Sequence, residues 1–205
     1  MILKKLVLCI LFSMCIFSCS TKKNKSDIDI DFVQDTLNVG YTYWWADSGP
    51  FIGNCGEEIS LTFTGTVVEL DMPNDDPGPL YTSQKGIIAI ENVFKIKELG
   101  ANTYANQKFI STDCFYNLDL NIGDKVIVFC YDYEDNYVIP GRKSILKIED
   151  FDAPIITSIK NYIDFDQDPF SIEKDEEIWK KYKLDKNLEQ LIFCAKEMDA
   201  LKHEN

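Results

Sequence analysis

The sequence has one histidine, His203, and it stands in the last three residues. A Ser–His or Cys–His pair needs a base held firmly beside its nucleophile, and a frayed chain end does not hold one. No G-x-S-x-G elbow, Walker loop or H-E-x-x-H run occurs, so nothing signals an acyl-transfer site, a nucleotide cradle or a zinc protease. Basic residues are also scarce, 21 against 34 acidic ones, for a net charge of −13. Such a surface repels phosphate backbones, which excludes DNA or RNA as a partner. There is no internal repeat and no low-complexity tract. Carboxylates are so abundant that no two stand out as an acid–base pair. No catalytic residue, cofactor or metal centre is expected, and the chain does not read as an enzyme.

What the sequence does have begins at its start. Lys4 and Lys5 precede an apolar run from Leu6 to Phe17. Twelve residues are too few for a transmembrane helix, which needs about 20; the pattern is that of a secretory signal. Its end, Ile16-Phe17-Ser18-Cys19, resembles a bacterial lipobox, in which the cysteine becomes the acylated N-terminus. Phe17 departs from the small residue usual at that position. The resemblance implies a membrane held through acyl chains on Cys19, and several chains anchor stably where one is marginal. Ser20 follows where an aspartate would mark inner-membrane retention, so the expected address is the cell envelope, at the outer membrane. Removing residues 1–18 takes away two lysines and no acid, moving the charge from −13 to −15. Residues 19–40 read as the lipidated cysteine and a flexible tether, polar and lysine-bearing at its start; within it Asp27 to Val39 alternates acid and apolar residues, the pattern of a short edge strand or of a mobile segment.

Four cysteines remain beyond Cys19: Cys55, Cys114, Cys130 and Cys194. An even number in an exported chain favours disulfides, with three connectivities open. Their spacing fits no zinc knuckle.

From Ile59 the pattern becomes strand-like. "ISLTFTGTVVEL" alternates, with Gly65 inside it as the mark of a bulge or bend. "GIIAIENVFKIKEL", "NQKFISTD", "NIGDKVIVFCYDY" and "RKSILKIED" supply four more strands, the fourth strand being entered through a turn at Gly123-Asp124. "EDNYVIPG" reads as a short connection. After Asp152 the period changes to helical: Ile155, Ile159, Tyr162 and Ile163 share a face, behind an acidic N-cap candidate and Pro154. Leu188, Leu191, Ile192, Ala195 and Met198 form a second helical stripe. The expected fold class is mainly β with C-terminal helices: a small, closed or partly open five-stranded barrel over 41–150, then two helices in 151–205 that pack on it.

The runs "LTFTGTVVEL", "GIIAIENVFKIKE" and "FISTDCFYNLDLNIGDKVIVFCYD" resemble the netrin-like fold, the oligonucleotide/oligosaccharide-binding (OB) barrel shared with tissue inhibitors of metalloproteinases, and the resemblance implies a five-stranded, OB-like Greek-key barrel here. The resemblance covers about half of the mature chain. It implies that the segment before the barrel is tied to it by a disulfide, here Cys55–Cys114. A loop of that length contributes about 3–4 kcal/mol on the chain-entropy model. In the animal inhibitors a free N-terminal cysteine chelates the protease zinc. An acylated Cys19 has no free amine for that task, and no C-x-C pair opens the domain, so the resemblance carries the fold without that chemistry.

Two further stretches were weighed as sites. Tyr41, Tyr43, Trp44 and Trp45 either stack on a sugar or apolar ligand, or wrap the barrel and fill its open end. Asp164, Asp166, Asp168 and Asp175 have the spacing of a calcium loop. Pro169 stands where that loop needs glycine, and the bidentate glutamate is missing, so a solvated acidic linker is expected. The functional expectation is a non-catalytic envelope module that binds a protein partner or a glycan. Inhibition of a protease through barrel loops is the alternative.

Overall fold

The computed structural model describes residues 24–41, 49–51, 58–74, 82–100 and 103–203. Their order is β1 (Val33–Asn38), β2 (Gly40–Tyr41), β3 (Ile59–Leu70), β4 (Gly86–Ile96), β5 (Gln107–Thr112), β6 (Lys125–Tyr133), β7 (Asn136–Ile139) and β8 (Ile145–Ile148). Three α-helices follow: α1 (Pro154–Asp164), α2 (Glu176–Lys180) and α3 (Asp185–His203), with a 3-10 stretch at Pro169–Asp175 before α2. The chain is mainly β with helices at its C-terminal end, as its patterning implies.

The strand count is larger than the five expected. All eight strands join one sheet in the order β1-β5-β4-β3-β6-β7-β2, with β8 also paired to β6. The pairs β3–β4, β4–β5, β3–β6, β6–β7 and β6–β8 are antiparallel. The two end pairs, β1–β5 and β2–β7, are parallel. One residue, Val39, separates β1 from β2, so the sheet curls until both its edges meet on one chain segment. Residues expected to belong to a flexible tether therefore carry the seam, and Val39 N donates to Ser111 O across it at 2.9 Å.

Both faces of the middle strands are covered. On β6, Val126, Val128 and Cys130 enter the core inside the curl, with Leu61, Phe63, Ile88 and Ile110. Ile127, Phe129 and Tyr131 alternate with them and enter a second core under the helices, with Ile159, Tyr162, Trp179 and Leu188. Burial on both faces is why "VIVFCY" shows no polar alternation. On β3 the helix-side positions are Ser60, Thr62 and Thr64, all fully buried. Thr64 Oγ1 accepts from Asn92 Nδ2 at 3.2 Å.

The bend at Gly65 is present: the β3–β4 register shifts between Thr64 and Gly65. The turn at Gly123 is also present, with φ +94°. The connection "EDNYVIPG" instead contains β7, joined to β6 by a two-residue loop in which Glu134 and Asp135 both have positive φ, 50° and 64°. Left-handed geometry at both loop positions matches the twist of a hairpin.

The helices differ from expectation in three respects. The N-cap of α1 is Ala153 and not an acidic residue, with Pro154 opening the helix. The final stretch is broken, because Lys183 takes φ 58° between α2 and α3. The stripe on α3 buries Leu188, Leu191 and Ile192 but leaves Met198 47 % exposed, and it packs on α2 and the 3-10 stretch. Residues 49–51 wedge between sheet and helices. Tyr131 Oη donates to Pro50 O at 2.6 Å, and the Phe51 ring meets Trp179 edge-on at 4.7 Å between centroids. Trp179 Nε1 donates to Ser158 Oγ at 3.0 Å, which satisfies the one polar atom of that buried ring.

Candidate functional site

The helical layer carries two features that a purely structural layer does not need. The first is a groove of about 220 Å³ where α3 passes the 3-10 stretch and α2, lined by Glu173, Glu176, Leu188, Glu189, Ile192, Phe193 and Lys196. Leu188 and Ile192 form its apolar floor because the α3 stripe continues under it. Phe193 lies off that stripe and is 64 % exposed. Carboxylates outnumber the one lysine here by three to one, and Lys196 is engaged with Glu173 at 3.1 Å and lies over the Phe170 ring. The groove is apolar at its base and acidic at its rim.

The second feature is the landing place of the N-terminal segment. Ser26 N donates to Asp164 Oδ1 at 2.8 Å, Lys160 Nζ donates to Asp27 Oδ1 at 2.7 Å, and Lys25 pairs with Asp166. Ile28 bridges to Val93 of β4. The lysine hydrogen bond holds the Asp166 carboxyl below the usual carboxylate range. Asp168 caps the 3-10 stretch by accepting from Phe170 N. The three carboxylates of the D-x-D-x-D run thus face three different partners and do not converge. The turn they form projects Phe165, 64 % exposed, with Asp166 and Gln167 at positive φ behind it.

A wider cleft of about 500 Å³ lies around Gly123, Asp124, Lys147 and Tyr182. Much of its charge is already paired: Lys147 with Asp124 at 2.7 Å and Lys125 with Asp150.

No protein-family model, curated protein or solved structure matches the chain.

Cys19, Tyr43, Trp44, Trp45 and Cys55 lie outside the described residues. Cys114 is described, and its placement corrects the expected Cys55–Cys114 staple: it is a free, buried thiol. It sits in the core inside the curl beside Phe115 and Leu120, and burial pushes its pKa up to about 12. Cys130 is free in the same core, and burial raises its thiol as well. Cys194, half-buried on α3, is disulfide-bonded, with its partner outside the described residues. Of the cysteines beyond Cys19, Cys55 is the one left unassigned. Thiol mapping should therefore find Cys114 and Cys130 blocked in the native protein and reactive once it is unfolded without reductant, while Cys194 reacts after reduction alone. A Cys55–Cys194 peptide is the expected cross-link. Release of Cys114 by reduction would restore the original pairing.

Sequence reasoning missed Phe165, Phe193 and the glutamates of the groove. One signal was available: both phenylalanines stand off the helical stripes, Phe165 within the polar run DFDQD and Phe193 within the apolar run LIFCA.

Proposed function

We propose that the protein is a non-catalytic, lipid-anchored binding or assembly module of the bacterial cell envelope, built on a netrin-like barrel. The order β6-β3-β4-β5 supports the barrel reading. Three consecutive antiparallel strands, with a fourth returning beside the first, make a Greek key. The leader ending on Cys19 supports the anchor.

The observation that carries the binding reading is the groove between α3 and the 3-10 stretch. Five of the nine exposed large apolar side chains among the described residues belong to the helical part: Phe165, Phe170, Phe193, Met198 and Leu201. Of these, Phe193 lines the groove and Phe170 lies under Lys196 at its rim; an exposed aromatic pair beside a concave, charged rim marks an interaction surface. Its acidic rim and apolar floor suit a protein segment that presents lysine or arginine around an apolar ridge.

A photo-crosslinking residue in place of Phe193, in cells making the full chain, tests this. A discrete protein adduct is expected there and not from the same residue in place of Ile122, which is 65 % exposed on another turn. Reversing the rim with Glu176→Lys and Glu189→Lys should weaken the adduct. Identical products at both positions, or none at Phe193, would refute the groove as the contact surface.

A further inference from the structure

We infer that the Phe165 turn is the edge of the domain that rests on the lipid surface, an inference that depends on the acylated Cys19 proposed above. The tether's reach sets the orientation. From Cys19 to Lys25 is six residues, about 20 Å at full extension. Lys25, Ser26 and Asp27 are then fixed to Asp166, Asp164 and Lys160. A folded chain of this length has a radius of gyration of about 16 Å and is roughly 40 Å across. The tether is therefore shorter than the body it holds. It cannot let the domain roll over and present its far side, so the end of α1 stays within about 20 Å of the bilayer.

The side chains at that end suit a lipid boundary. Phe165 projects its ring from the turn, and an aromatic ring is favoured where water gives way to acyl chains. The flanking carboxylates would oppose this if left bare, but Asp164 is taken by Ser26 N and Asp166 by Lys25. The remaining acidity of the chain disfavours anionic headgroups, so the surface it fits is zwitterionic.

The test uses full-length acylated protein on phosphatidylethanolamine–phosphatidylcholine vesicles and a bulky, impermeant maleimide. Phe165→Cys should label several-fold more slowly on vesicles than in a soluble Cys19→Ser background. Ile122→Cys should label equally in both. Inserting about 20 glycine and serine residues after Ser20 lengthens the tether past the body and should restore fast labelling at Phe165→Cys. Equal labelling of Phe165→Cys on pelleted vesicles and in solution overturns the inference while leaving the anchor intact. Protection that survives the longer tether also overturns it, since some other contact must then cover the turn. Protein that does not pellet with vesicles at all removes the anchor, and the inference with it.

Discussion

Gly65→Ala is expected to be the most destabilising single-methyl change among the described residues. A Cβ at this position would stand 2.6 Å from Ile88 Cγ2 and closer still to the Ala89 carbonyl oxygen. The side chain could swing away, but the carbonyl belongs to β4. That strand is locked to β3 on one edge and to β5 on the other. Gly65 is paired on both sides, opposite Ile90 and opposite Val126, so β3 has no free edge toward which to move. Overpacking in a core costs about 1–3 kcal/mol, and a backbone clash at a bulge should reach or exceed the upper end. Against a total stability of about 5–15 kcal/mol the urea midpoint should fall far, with the m-value unchanged. Gly123→Ala is the internal comparison: its φ is +94° but nothing lies within 4 Å, so only backbone strain of about 1–2 kcal/mol is at stake. A Gly65→Ala protein as stable as the Gly123→Ala protein would show that β3 and β4 are not packed this closely.

The contrast between these glycines shows which parts of the fold were legible. Gly65 could be read because it interrupts an alternating strand, and Gly123 because it sits between two runs of opposite character. β7 was hidden, since its hairpin loop uses Glu134 and Asp135 at positive φ in place of the Asn-Gly or Asp-Gly that announces such a turn. β1 was half legible: the run to Val39 allowed a short edge strand, but of its six residues only Leu37 is buried, so a mobile segment fitted the pattern as well, and parallel pairing to β5 decides between them. The break between α2 and α3 falls at Lys183, again at positive φ without glycine. Asparagine is the residue that tolerates this geometry best after glycine, and none of these three positions carries it.

The candidate site was less legible still. A groove is made by residues distant in sequence, here Glu173 and Glu176 against Glu189 and Phe193. Nothing in a local pattern brings them together; the α2–α3 break does. The landing of Lys25, Ser26 and Asp27 on the D-x-D-x-D turn was equally invisible. Counting charges predicted a solvated linker, and the actual partners lie about 140 residues away in the chain, as Ser26 and Asp164 do with a separation of 138. The cysteine assignment failed through analogy. The resemblance pointed to Cys114, but that thiol lies in the barrel core beside Phe115. A residue following β5 faces the inside of the curl, away from the helical layer on which Phe51, close in sequence to Cys55, packs.

Cys19→Ser is expected to have the largest effect on where the protein is found. Acylation begins with a thioether, which a serine hydroxyl cannot provide, so incorporation of a fatty-acid label should fall to background. Two products are then possible, and both differ from the wild-type form. If the leader is still removed, the chain appears in the soluble fraction with the mass of an unacylated protein. If it is not removed, the chain keeps Lys4, Lys5 and the apolar residues that follow, and runs as a heavier precursor. Twelve apolar residues are well short of the 20 or so that span a bilayer, so that precursor should be extracted from membranes more readily than the acylated form. Membrane fractionation alone would not separate these cases, and the label and the mass must be read together. Cys15→Ser, within the apolar run, is the control that should leave both unchanged. The folded body should be indifferent to either change, because among the described residues the first long-range contact is that of Lys25 with Asp166, and the urea midpoint of the released protein should match that of wild type in detergent. Label and mature mass that persist in Cys19→Ser would place the modification elsewhere and remove the basis for an anchor at this residue.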